Sequence, residues 1–136
     1  MTVHRSQHFR ARHISLSCSG APIFGSDGEL LGVLDVSSID PDLSEHAHAL
    51  TGALTIATAR AIEERLFRRQ FRREWIVAVG PPDESNSAML IAVDRDHRIV
   101  GADRNARRVL SRSGRDPLAQ AASPWTIFER NDAIFR

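Results

Sequence analysis

Leu16-Ser-Cys-Ser-Gly-Ala-Pro-Ile-Phe-Gly-Ser-Asp-Gly-Glu-Leu-Leu-Gly-Val-Leu-Asp-Val-Ser37 is the stretch that decides the fold. It holds two short apolar runs, 16–24 and 29–37, and the polar connection between them begins and ends on glycine, Gly25 and Gly28. Those glycines supply the positive φ angles of a hairpin loop, so the stretch reads as two antiparallel strands. With Phe24 opposite Glu29, the pairs step outward as Pro22 with Leu31, Gly20 with Val33, Cys18 with Asp35 and Leu16 with Ser37. A side-chain period of two then sorts the faces. One face collects Ala21, Ile23, Leu30, Gly32, Leu34 and Val36, small and apolar enough for a helix to pack closely. The other mixes Leu16, Leu31 and Val33 with Cys18, Asp35 and Ser37, a partly polar lining that suits a small effector pocket. A slip of one residue would exchange the two faces.

Downstream, Asp40-Pro41-Asp42 carries helix-start chemistry, because a carboxylate caps exposed amides while proline occupies the first turn at no hydrogen-bond cost. No proline follows before Glu74, and only Gly52 interrupts the pattern, so one long helix is expected over about 41–74. Leu43, Ala47, Leu50, Leu54, Ala57 and Ala61 recur every four and three residues, a narrow seam of the kind that pairs helices. The seam then drifts to Ile62 and Leu66, with Phe67, Phe71 and Trp75 at intervals of four. Two outcomes are open: Leu50, Leu54, Ala57, Ala61 and Phe67 form a homodimer and relay surface, or the hairpin's apolar face covers the seam. Arg68, Arg69, Arg72 and Arg73, with Arg65, make a basic face that could contact phosphate. Cations near a helix C-terminus are also favoured by the macrodipole alone, and Glu63, Glu64 and Glu74 offset part of the charge.

Trp75-Ile-Val-Ala-Val79 reads as a strand and the Pro/Ser-rich run 80–87 as a linker. A second hairpin follows, from Ala88–Val93 through a turn at Asp94–His97 to Arg98–Ala102. Asp103 then caps a short helix through Leu110. Beyond Ser111 the pattern fades, with Trp125-Thr-Ile-Phe128 as a short apolar anchor. The expected class is α+β: a hairpin on one long helix in 1–79, a linker at 80–87, and a second hairpin and helix within 88–136.

The 18 basic side chains are all arginine, and the net charge of +1 gives no general attraction to nucleic acid or membrane. One cysteine excludes an internal disulfide, and no apolar run approaches the ~18 residues of a membrane span, so a cytoplasmic protein is expected. His4 and His8 are four apart, but no Cys, Asp or Glu lies within residues 1–15 to complete a metal site. No metal or cofactor is expected. Catalysis is disfavoured: no histidine has a position that places it beside Cys18, and His46 and His48, two apart, point to different sides of a helix. Asp94, Asp96 and Asp103 fall in turns and caps, where aspartate serves the backbone.

The segment Cys18–Ser37 resembles the last two sheet strands of the GAF domain at the front of sigma-54-dependent regulators of the acetoin-catabolism type. His8-Phe9 sits where that family has a similar pair, and the long helix ending in Arg65-Leu-Phe67 is similar to theirs. Ala88-Met-Leu-Ile-Ala-Val-Asp-Arg-Asp-His-Arg-Ile-Val-Gly-Ala-Asp-Arg-Asn-Ala-Arg-Arg-Val-Leu110 is similar to the opening of the PAS-like segment that follows in those regulators. Measured against that family, the first half of a GAF domain and the later PAS strands are missing. Without lysine there is also no phosphate-binding loop of the G-x-x-x-x-G-K-[S/T] kind. The resemblance implies an internal piece or truncated relative of such a regulator, acting on DNA only through domains outside this chain. It implies a sensory and relay region that binds a small effector or a partner and passes the change along the helix. The alternative is a dimerisation or protein-interaction module without a ligand.

Overall fold

The computed structural model describes residues 1–80, 88–112 and 123–124. Most of the expected 80–87 linker and the apolar anchor at 125–128 lie outside the described residues. The chain divides into two compact units, Met1–Phe24 with Leu30–Glu63, and Gly25–Glu29 with the chain from Glu64 onward.

In the first unit, strands β1 (Thr2–His4), β2 (Ser17–Phe24) and β3 (Leu30–Ser38) form an antiparallel sheet in the order β1-β2-β3. The hairpin is present, but its register differs from the expected one by two residues. Ala21 pairs with Leu34, Gly20 with Asp35 and Cys18 with Ser37, and an irregularity between Ile23 and Phe24 brings Phe24 opposite Leu30. The tip explains the offset. Gly25 N–H donates to Glu29 O at 2.9 Å and Gly28 takes φ +81°, so Glu29 closes the loop instead of opening the strand. From Ser17 to Ile23 the displacement is even, so those pairs change while both faces keep their residues; at Phe24 it is a single residue.

The long helix is α1 (Glu45–Gln70), shorter at both ends than the expected 41–74. Asp40-Pro41-Asp42 forms a turn, with Asp42 N–H on Asp40 Oδ1 at 2.9 Å, and Ser44 is the cap, accepting Ala47 N–H on Oγ at 3.1 Å. Three contacts lay α1 along β1 and β2. The rings of His48 and His4 lie 5.0 Å apart, a Cβ on Gly52 would meet Thr2 Cγ2 and Ser19 Oγ, and Phe24 N–H donates to Glu63. Eleven helical residues, Gly52 to Glu63, cover about 16 Å, and five strand residues, Ser19 to Phe24, cover about 17 Å, so helix and strand run side by side.

That placement decides which face of α1 is buried. His48, Gly52, Thr55 and Ala59 are covered, against Ser17, Ser19 and Ala21 of β2. Small residues on both sides permit the close approach, and Thr55 satisfies its hydroxyl by donating to Thr51 O at 2.7 Å. The leucine seam is therefore not the packed face. Leu50 is 63% and Leu54 60% exposed, so the hairpin does not cover the seam. The apolar face of the hairpin is itself only half used: Ala21 is buried, but Leu30 and Val36 on β3 remain exposed because α1 lies over β1 and β2.

The second unit contains an antiparallel sheet of β4 (Trp75–Val79), β5 (Met89–Val93) and β6 (Ile99–Ala102), in that order, followed by α2 (Arg104–Arg112). The strand at 75–79, expected to close the first domain, pairs along its whole length with β5, and the unit boundary falls inside α1. β5 is central and buried on both faces. Ile91 and Val93 pack with Ile99, Ala102, Ala106 and Leu110, while Leu90 and Ala92 pack with Phe67, Phe71 and Ile76. Asp103 caps α2 as expected, accepting Ala106 N–H on Oδ1 at 2.7 Å. Asp94 folds the tight turn, its Oδ1 accepting N–H groups of Asp96 and Arg98 at 2.9 and 2.8 Å.

Candidate functional site

β2 and β3 each send alternate side chains to the face of the first sheet that α1 leaves open. Cys18 and Gly20 lie there on β2, opposite Ser37 and Asp35 on β3, with Val33 beside them. Cys18 is half-buried, Asp35 and Ser37 are exposed, and Val33 is 61% exposed. The three side chains named from the sequence meet: Ser37 Oγ is 3.2 Å from Cys18 Sγ and 2.8 Å from Asp35 Oδ2. A serine hydroxyl carries one proton, and an ionised carboxylate can only accept. The Ser37 proton therefore goes to Asp35, and the thiol is left as a weak donor to Ser37 Oγ. Asp35 thereby gains a hydrogen-bond partner in a strand where a bare carboxylate would depend on water alone.

Gly20 shapes the middle of this face. A Cβ there would lie 3.6 Å from Val33 Cγ1 and 3.7 Å from Asp35 Oδ1, ordinary contact distances, so a side chain would fill the floor between the polar cluster and the apolar wall. Exposed Leu31 and Val33 supply that wall. The arrangement can accept hydrogen bonds at Asp35, exchange them at Ser37 and offer apolar surface alongside. No group of three or more metal-ligating side chains occurs among the described residues.

The helix candidates divide. Leu50, Leu54, Ala57 and Ala61 are exposed on α1 in the first unit. Phe67, placed on the same surface from the sequence, is 2% exposed and belongs to the second unit's core, because the apolar stripe turns towards Leu90 and Ala92. Of the basic face, Arg68 is paired with Glu64 at 2.8 Å, one helical turn away, while Arg69, Arg72 and Arg73 are exposed. An exposed pair of this kind holds little energy and does not remove Arg68 from a phosphate's reach.

Sequence reasoning missed a second polar cluster. Ser17, Ser19, His48 and Thr55 are all at least nine-tenths buried between β2 and α1. His4 Nδ1 shares a 2.8 Å hydrogen bond with Ser17 Oγ, whereas Ser19 Oγ and His48 Nε2 have no hydrogen-bond partner among the described residues. The signal was present in the alternation Ser17, Ser19, Ala21 on one strand face, but serine reads as surface unless a helix with glycine at the crossing point is also in view.

Residues 1–62 match the family model described as GAF domain. Over 138 aligned residues the chain is 35% identical to the acetoin catabolism regulatory protein of Cupriavidus necator, covering 99% of this chain and 20% of that protein. Over 99 residues it is 31% identical to the acetoin dehydrogenase operon transcriptional activator of Bacillus subtilis, covering 73% of this chain and 16% of that one. The chain thus spans a fifth or less of the length of these relatives. No solved structure matches it.

Proposed function

We propose, from the match of residues 1–62 to the GAF domain family and the chain's similarity to regulators of acetoin catabolism, that the chain is a sensory and relay region of a transcriptional regulator. The observation that carries the reading is the meeting of Cys18, Ser37 and Asp35 on the sheet face opposite α1. A small effector with a hydroxyl or carbonyl group would take hydrogen bonds there and rest its carbon skeleton on Leu31 and Val33. The relatives' names attach them to acetoin catabolism, so small hydroxyketones are the first effectors to test. The role is regulatory, not catalytic. α1 follows the sheet without a break and would carry the change onward; at about 1.5 Å per residue its length is roughly 39 Å.

Binding is tested by titrating the chain with small hydroxyketones while following the amide signals of Cys18, Asp35 and Ser37. Saturable shifts confined to β2 and β3, abolished by Asp35→Asn, are the expected result. Shifts that survive the substitution, or none at millimolar concentration, would remove the effector reading.

A second reading, a homodimer through α1 without a ligand, is favoured by the exposed row Leu50, Leu54, Ala57 and Ala61. Light scattering across a concentration series distinguishes it. A dimer that Leu54→Arg disperses, with helicity intact, supports pairing through this row, and a monomer at every concentration sinks it.

A further inference from the structure

Arg5 opens the short 3-10 turn that follows β1. Its φ is +42°, a left-handed conformation that a residue with a Cβ adopts only when something holds it. Its own N–H donates to Leu16 O at 2.8 Å, which ties the end of β1 to the approach to β2. The guanidinium reaches across to the connection between β3 and α1. There Nη2 contacts the backbone carbonyls of Asp40 and Leu43, each at 3.3 Å, and that of Pro41 between them. Two hydrogens on one nitrogen are shared among three carbonyls, so the group grips the loop as a whole.

That loop begins after Ser38, its first residue two beyond Ser37 of the polar cluster, and ends at the helix cap. Ser37 is the bridge of the cluster, Ser38 Oγ accepts Asp40 N–H at 3.1 Å, and Asp40 Oδ1 accepts Asp42 N–H at 2.9 Å. Ser44 then caps α1 through Ala47 N–H and, by its carbonyl, His48 N–H at 3.0 Å. Each link is a local hydrogen bond, and the loop's side chains are exposed or half-buried. Arg5 is the one side chain from a distant part of the chain seen to hold it among the described residues.

We infer that Arg5 is a positioning residue that couples the Ser37 cluster to the first turn of α1, by making the loop move as one piece. The inference rests on the relay reading above and says by which contact the relay is made. A guanidinium suits the role because it is always charged and its planarity fixes the directions of the two Nη2 hydrogens, whereas lysine offers a flexible point charge.

The test is a mutant cycle read by amide hydrogen exchange on the full chain. Arg5→Gly removes the guanidinium and relieves the left-handed backbone, so folding is favoured, and Arg5→Lys keeps the charge without the planar group. Ser37→Ala perturbs the cluster. With Arg5 present, Ser37→Ala should speed exchange at Ala47 and His48 at least threefold while Leu34, inside the β2–β3 ladder, is unchanged. With Arg5→Gly, exchange at Ala47 and His48 should already be raised about tenfold, with no further response to Ser37→Ala. Arg5→Lys should fall between. A merely structural arginine would give effects that multiply independently, and that result would overturn the coupling. Should Ser37→Ala leave Ala47 and His48 untouched when Arg5 is present, the relay reading itself falls. An effect of Ser37→Ala that persists at full size in Arg5→Gly would remove Arg5 alone.

Discussion

At the scale of single residues, two glycines hold more of this fold than any leucine on its surface. A Cβ on Gly52 would fall 2.5 Å from Thr2 Cγ2, and one on Gly101 would fall 2.4 to 2.8 Å from three atoms of the Phe71 ring. Gly52→Ala and Gly101→Ala should each destabilise by about 1–3 kcal/mol, because overpacking outweighs the chain-entropy gain of alanine. Urea unfolding followed by circular dichroism measures both. Gly20→Ala meets only ordinary contacts and should leave stability within about 0.5 kcal/mol of wild type while occupying the floor of the candidate site. That Cys18, Asp35 and Ser37 share one sheet face was legible from alternation, and this survived a misjudged register because the error there was even. The partners were not legible: which of two residues faces Cys18 depends on whether Glu29 ends the loop or begins the strand.

At the scale of elements, α1 shows how hydrophobic periodicity and burial can part. The leucines define a clear stripe, yet the covered stripe is His48, Gly52, Thr55 and Ala59, turned away from it by one to two residue steps of 100° each. Periodicity reports where apolar residues are, whereas close packing against β2 selects for small ones. Phe67→Ala should therefore cost about 3–5 kcal/mol, and Leu50→Ala less than about 0.5 kcal/mol in the monomer. Equal losses in the same urea experiment would place the seam inside the fold after all. The helix start was misplaced for a related reason. Asp40, Pro41 and Asp42 carry the chemistry of a cap, but Ser44 makes the capping bond, and Ser44→Ala should cost about 1 kcal/mol, localised to the first turn of α1 in hydrogen exchange.

At the scale of the molecule, the α+β class and both hairpins could be read from the sequence, and the division of the chain could not. Composition points to the run 80–87, where proline and serine gather, but backbone pairing joins β4 to β5 on its far side. A fragment ending at Val79 should accordingly lose more than the second hairpin. Phe67 and Ile76 would be stripped of Leu90 and Ala92, and the fragment should show an exposed-apolar signature, such as binding of a hydrophobic dye, that the full chain lacks. The division instead lies between Glu63 and Glu64, in mid-helix, where no break in residue type announces it. An uninterrupted helix at that point makes the chain sensitive to count as well as to identity. One residue inserted after Glu63 would turn Phe67 by about 100° and move it about 1.5 Å relative to Ala59, whereas four would restore nearly a full turn.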